Sequence, residues 1–185
     1  MQHVVIVTGL GDHTDYIERA TKKWPQRHGL QPHVFAFGWE GEVSLYKDHY
    51  NEFLNHIREL VQDGPVVLIG ISAGASAVMN AARDMPAEVS FVINICGRVR
   101  PGRRGLWSFK SFPLHWRSVD SVDLPKLDAA KILTFRSLLD ESVPPSTVTV
   151  AGATNKRLFI PGHVPSIFWT LYRNDRAIAA FVASS

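Results

Sequence analysis

A single cysteine, Cys96, is all the thiol chemistry that this 185-residue chain possesses. One thiol excludes an internal disulfide and any CxxC metal or redox motif, and with them the disulfide-dependent secreted folds. Long apolar runs are equally scarce, and none approaches the roughly 20 residues that a membrane span requires. Charge of one sign is scarce as well. The formal net charge is +3 and the sequence pI is near 9.2, a mild basic bias that does not argue for nucleic-acid binding. The first apolar run, His3-Val4-Val5-Ile6-Val7, follows Met1-Gln2 directly, without the charged region and longer apolar stretch of a signal peptide. The expected location is cytoplasmic, with no membrane span and no nucleic-acid partner.

What is present is ordinary globular composition, 45% hydrophobic and 20% charged, at a length that suits one domain over residues 1–185. Short β-branched runs alternate with segments of helical period, the pattern of an α/β protein with a parallel sheet covered by helices. The expected strands are Val4 to Thr8, His33 to Phe37, Val66 to Ile69, Val89 to Ile95, Lys131 to Phe135, and Arg157 to Ile160. Tyr16, Ile17, Ala20 and Trp24 share one helical face. Tyr46, Tyr50, Phe53, Leu54, Ile57 and Val61 share another, for which Ser44 is the expected N-cap. Ala75, Val78, Met79 and Ala82 form a third stripe. A C-terminal helix is expected to run from near Pro165 through Ile167, Phe168 and Leu171 to Ile178 and Phe181.

The rhythm fails between about 97 and 125. This stretch has no clean period but is dense in arginine and aromatic residues, including Arg98, Arg100, Arg103, Arg104, Trp107, Phe109, Phe112 and Trp116. An irregular segment of that length inside a compact domain is usually a functional loop. It follows the fourth strand, where loops of an open parallel sheet border the ligand crevice. The expectation is a lid in which Trp107, Phe109, Phe112 and Trp116 wall an acyl pocket and Arg103 and Arg104 hold an anion at its rim; a solvated surface loop is the alternative.

The third strand closes in Gly70-Ile71-Ser72-Ala73-Gly74, and a helical stripe begins at once. This is G-x-S-x-G between strand and helix, the setting a nucleophile elbow needs. A sharp turn projects the serine hydroxyl out of the backbone, and glycines remove Cβ atoms that would strike the strand and helix. The helix N-terminus beyond offers free N–H groups to a developing anion.

On these residues the chain resembles the α/β-hydrolase superfamily, as a small serine hydrolase of esterase type, over nearly its whole length. The resemblance implies a triad in the chain order serine, acid, histidine. After the fifth strand, Leu139-Asp140-Glu141-Ser142-Val143-Pro144 is similar to the family's acid loop, which assigns Asp140, with Glu141 as the fallback. After the sixth, Pro161-Gly162-His163 is similar to the family's histidine loop, which assigns His163. The oxyanion hole falls to the backbone N–H groups of Leu10, in Thr8-Gly9-Leu10-Gly11, and of Ala73. Thr8 stands where the family usually has histidine. The family's sheet opens with two strands for which this chain has no residues, so the expected sheet is six-stranded and mostly parallel, in the order 2-1-3-4-5-6, with helices on both faces.

The resemblance implies cleavage of a carboxylic ester or thioester through an acyl-enzyme on Ser72, with a small acyl substrate and no cofactor or metal. His13 is expected to orient its loop, touch substrate or stand in solvent. Two rivals belong to other classes. Gly9-x-Gly11 after a first strand is part of a dinucleotide fingerprint, but Thr14 holds the third glycine position and only Glu40 stands near the end of the second strand. The other is a binding module with a vestigial triad, which meets a protein partner through the basic and aromatic insertion.

Overall fold

The structure, a computed structural model, describes residues 1–102 and 112–184. Six parallel strands form one sheet in the order β2-β1-β3-β4-β5-β6: β1 (Gln2–Val7), β2 (Leu30–Phe35), β3 (Val66–Ile71), β4 (Val89–Ile95), β5 (Ile132–Arg136) and β6 (Thr154–Arg157). The helices are α1 (Asp15–Thr21), α2 (Trp24–His28), α3 (Tyr46–Leu60), α4 (Gly74–Asp84), α5 (Pro113–Asp120), α6 (His163–Arg173) and α7 (Asp175–Val182).

Strand period places the two cores. Val5, Val7, Val66 and Leu68 turn to one face, where they meet Phe53 and Ile57 of α3, Val78 of α4 and Leu114 of α5. Val4, Ile6, Val67 and Ile69 turn to the other, against Ile17 of α1, Trp24 of α2, Leu171 of α6 and Ile178 of α7. A central strand buried on both faces needs apolar residues at every position, and β3, Val-Val-Leu-Ile-Gly-Ile, is buried throughout.

The edges depart from the periodic reading. The sixth strand lies at Thr154–Arg157, not at Arg157 to Ile160, and its residues are all exposed. It is an edge strand recognised by pairing rather than by hydrophobicity, and Leu158 to Ile160 lie beyond it. On the opposite edge β2 begins at Leu30 and includes Pro32, which an edge strand tolerates because one side of its ladder is unpaired.

Three helical expectations are corrected. Ser44 is not the N-cap of α3: it sits in a 3₁₀ turn, Val43–Leu45, and its hydroxyl points to Glu42 at 3.4 Å. The C-terminal stripe is two helices, because the Asn174 amide turns back to the carbonyls of Trp169 and Thr170 and closes α6. Within the irregular stretch, Pro113 starts α5, whose Leu114, His115, Ser118 and Val119 are buried. Two turns are too short for a hydrophobic stripe to register in the sequence.

Candidate active site

The order of the sheet reverses between β1 and β3, so the loops leaving their C-terminal ends part to opposite sides and open a crevice. Ser72 stands in that crevice with φ +52°, a left-handed conformation that costs a non-glycine residue roughly 1–2 kcal/mol. The neighbouring glycines hold it there by close approach. A Cβ on Gly70 would lie 2.4 Å from Ala75 Cα, and one on Gly74 the same distance from the Val7 carbonyl oxygen. Gly97, after β4, packs beneath the turn, where a Cβ would come within 2.2 Å of the Ser72 carbonyl oxygen.

Ser72 Oγ lies 2.8 Å from His163 Nε2, and His163 Nδ1 lies 2.8 Å from Asp140 Oδ2. His163 opens α6 after Gly162, whose φ of +91° turns the chain into the helix. The second oxygen of Asp140 accepts the amides of Ser142 (2.9 Å) and Val143 (2.7 Å), which fixes the carboxylate before it meets the ring. Glu141, the fallback acid, does not face the imidazole; its carboxylate accepts the backbone N–H of His163 at 3.1 and 3.2 Å. The Ser137 hydroxyl lies within 3.2 Å of the carbonyls of Leu139, Ile160 and Gly162 and so laces the loops that carry Asp140 and His163.

Comparison with known proteins adds the fold. No family model matches the chain, and no curated protein matches it significantly. Solved structures do match. A protein from Xanthomonas campestris pv. campestris assigned to the alpha/beta hydrolase superfamily superposes with a TM-score of 0.70 at 17% identity, over 100% of both chains. A monoacylglycerol lipase from Paleococcus ferrophilus gives 0.68 at 16% identity, over 99% of this chain and 95% of that one. A thermophilic esterase from Thermogutta terrifontis gives 0.66 at 13% identity, over 99% and 90%. The chain has the α/β-hydrolase fold.

In this α/β-hydrolase fold the loop after β1 crosses directly over the serine. A Cβ on Gly9 would sit 3.0 Å from Ser72 Cβ, so a side chain there would press on the serine. The amides of Leu10 and Ala73 are taken up by no hydrogen bond among the described residues. The loop is anchored by Asp12, which sequence reasoning missed. Its Oδ1 accepts from Thr8 Oγ1 (2.5 Å) and the Phe37 amide (3.0 Å), and its Oδ2 accepts from the amides of Gly38 (3.0 Å) and Trp39 (3.2 Å). Trp39 closes the ring by donating its indole N–H to the Thr8 carbonyl at 3.0 Å. Thr8, where the family usually has histidine, thus belongs to a carboxylate clamp.

The crevice has a volume of about 480 Å³ and is walled mainly by α6, through Val164, Ile167 and Phe168, and by the loop after β1, through Gly9, Leu10 and His13, with Tyr16 of α1 beside them. His13 stands exposed at its rim. Arg103, Arg104, Trp107 and Phe109 lie outside the described residues. The described parts of the insertion do not line the crevice. Arg98 is buried with its guanidinium 5.2 Å from the Trp116 ring centre, and Arg100 donates to the Thr149 carbonyl. Phe112 and Trp116 therefore do not wall the pocket as expected. Glu40 is exposed and has no place in the site.

Cys96 lies at the end of β4 with φ +55° and is fully buried. Burial, with the Asp140 charge adding to it, pushes its thiol up to about 12, so it is held as a neutral side chain. The Ser72 hydroxyl, by contrast, is open to the crevice.

Proposed function

We propose that the protein is a serine hydrolase that cleaves carboxylic esters or thioesters through an acyl-enzyme on Ser72. The observation that carries this reading is the continuous hydrogen-bonded path from Ser72 through His163 to Asp140, with the Leu10 and Ala73 amides unengaged among the described residues. His163 removes the Ser72 proton as Oγ attacks the carbonyl carbon, and Asp140 fixes the ring so that Nε2 faces the hydroxyl and stabilises the imidazolium. The oxyanion turns toward the N–H groups of Leu10 and Ala73, each worth about 3 kcal/mol of barrier. His163 then returns its proton to the leaving alcohol or thiol, and water, activated by the same ring, releases the acid. This chemistry draws on no metal or organic cofactor. The apolar crevice walls suit the acyl chain of a small substrate. No helix among the described residues is long and apolar enough to cross a membrane, and we place the protein in the cytoplasm.

A fluorophosphonate probe should label the native protein once, at Ser72, and Ser72→Ala should abolish both labelling and p-nitrophenyl ester hydrolysis. Labelling retained in the variant sinks the assignment of the nucleophile. A well-folded wild type that takes no label favours the non-catalytic binding module instead.

A further inference from the structure

The Ser72 crevice is not isolated. Its wall residues His13 and Tyr16 also border a shallower depression that continues to Arg19, and Arg19 in turn borders a groove between α1–α2 and α6–α7. The seam is continuous because Tyr16 and Arg19 are three apart on α1, and Phe168 and Tyr172 are four apart on α6. Aromatic rings pave it, with Tyr16 against Phe168 at 4.8 Å and Phe168 stacked on Tyr172 at 6.3 Å.

The far groove is strongly cationic. Arg19, Lys22, Lys23, Arg27, Arg173 and Arg176 line it, all exposed, and its end beside Asp175 has a volume of about 600 Å³. Its one lining acid, Asp175, is buried, with its carboxylate already met by His28 Nε2 at 3.0 Å and Arg27 at 3.5 Å. Six cations around one spent carboxylate form a site for several phosphate charges, which guanidinium groups bind in bidentate fashion. Between crevice and groove the lining is different: Asp15, Thr14 and the amide-bound Asp12 offer no net positive charge. That middle section suits an uncharged polar linker.

Separation selects among phosphate-bearing esters. From His163 to Tyr172 along α6 is nine residues, about 14 Å. A linker of that reach is about four extended amide-like units long. The phosphate of a glycerophospholipid lies only a few bonds from its ester carbonyl and is too near. Resting on the Ser72 reading above, we infer that the groove holds the phosphorylated nucleotide end of a thioester of coenzyme A chemistry, with its amide arm along the α1–α6 seam and its acyl carbonyl at Ser72.

The test compares wild type with Lys23→Glu/Arg173→Glu on two substrates with the same acyl group, a coenzyme A thioester and an N-acetylcysteamine thioester. The double reversal should raise KM for the coenzyme A thioester about tenfold or more at unchanged kcat, the pattern of lost ground-state binding, and leave the uncharged thioester unaffected. Lys23→Gln/Arg173→Gln should show the same split more weakly. Adenosine 3′,5′-bisphosphate should bind Ser72→Ala by calorimetry, and less tightly as salt rises. Equal KM effects on both substrates, or none on either, overturn the inference. Turnover of the uncharged thioester without nucleotide binding overturns the groove and leaves the hydrolase reading intact. Nucleotide binding that the reversal abolishes, with turnover of neither thioester, does the opposite. Sedimentation with anionic phosphatidylglycerol vesicles in place of nucleotide binding assigns the cations to a lipid surface and also overturns it.

Discussion

Two aspartates flank Ser72, and each is held by backbone amides of its own side of the crevice. Asp140 takes two amides on one oxygen and leaves the other for His163 Nδ1. Asp12 takes three amides and a threonine hydroxyl, and among the described residues neither oxygen bonds a titratable group. In the proposed mechanism the same residue type in the same kind of clamp is chemical in one loop and architectural in the other. What separates them is whether a partner in the clamp would gain and lose a proton during turnover. Asp140 would stabilise a cation that forms and disappears; Asp12 would fix the path of a loop whose amide must stand still.

The sharpest way to break that contrast is Asp140→Asn. The amide keeps the shape but favours the wrong imidazole tautomer, so kcat should fall about 10⁴-fold with KM and melting temperature little changed. A loss below about tenfold would mean that Asp140 only shapes its loop. Asp12→Asn should behave differently. One half of the new amide presents N–H groups to backbone N–H groups, leaving buried donors unsatisfied at about 1–3 kcal/mol each. Stability should drop clearly in urea titration. Activity should fall about 10²-fold, the scale of one misplaced oxyanion donor, and the loss should reside in kcat. Equal rate losses in the two variants, with stability untouched in both, would erase the distinction.

A smaller effect probes the shell behind Asp12. His115 of α5 packs edge-on to Trp39, ring centres 5.7 Å apart, and Trp39 is part of the Asp12 clamp. Burial, reinforced by the Arg98 charge, pushes its imidazole down to about 3. The unfolded chain takes up that proton near 6.5, the folded chain only near 3, so the contribution of neutral His115 is complete above about 6.5 and is lost as pH falls toward 3. His115→Gln cannot gain the proton and should flatten the fall in urea midpoint between pH 7 and pH 4.5. An unchanged acid limb would mean that His115 does not carry the acid sensitivity.

These same elements explain what was legible in the sequence. The elbow was readable because its constraints are steric and local: Gly70 and Gly74 each face backbone at distances that no side chain survives. Asp140 and His163 were readable only through the order of the resembled family, since nothing near either residue marks a partner 23 positions away. Asp12 was invisible because its donors are main-chain amides, which carry no residue identity. The sixth strand was misplaced for the converse reason. Its four exposed residues are set by hydrogen bonds to β5, and the apolar run that drew attention, Leu158 to Ile160, follows it. The aromatic-rich insertion promised a lid over the serine, yet its described part turns Arg98 and Trp116 toward each other and does not line the crevice.

The lone cysteine gives the molecule an internal clock. Cys96 lies between the elbow strand and the acid loop, its backbone amide bonded to the Phe135 carbonyl at 2.8 Å and its thiol sealed from water. A thiol in that state cannot react with a soluble disulfide until the core that covers it, shared with Phe135 and Ile167, opens. The rate at which it is consumed therefore counts openings of the core beneath the Asp140 and His163 loops, without any introduced label. In the proposed hydrolase the lifetime of the site would be reported by a thiol that its chemistry never touches.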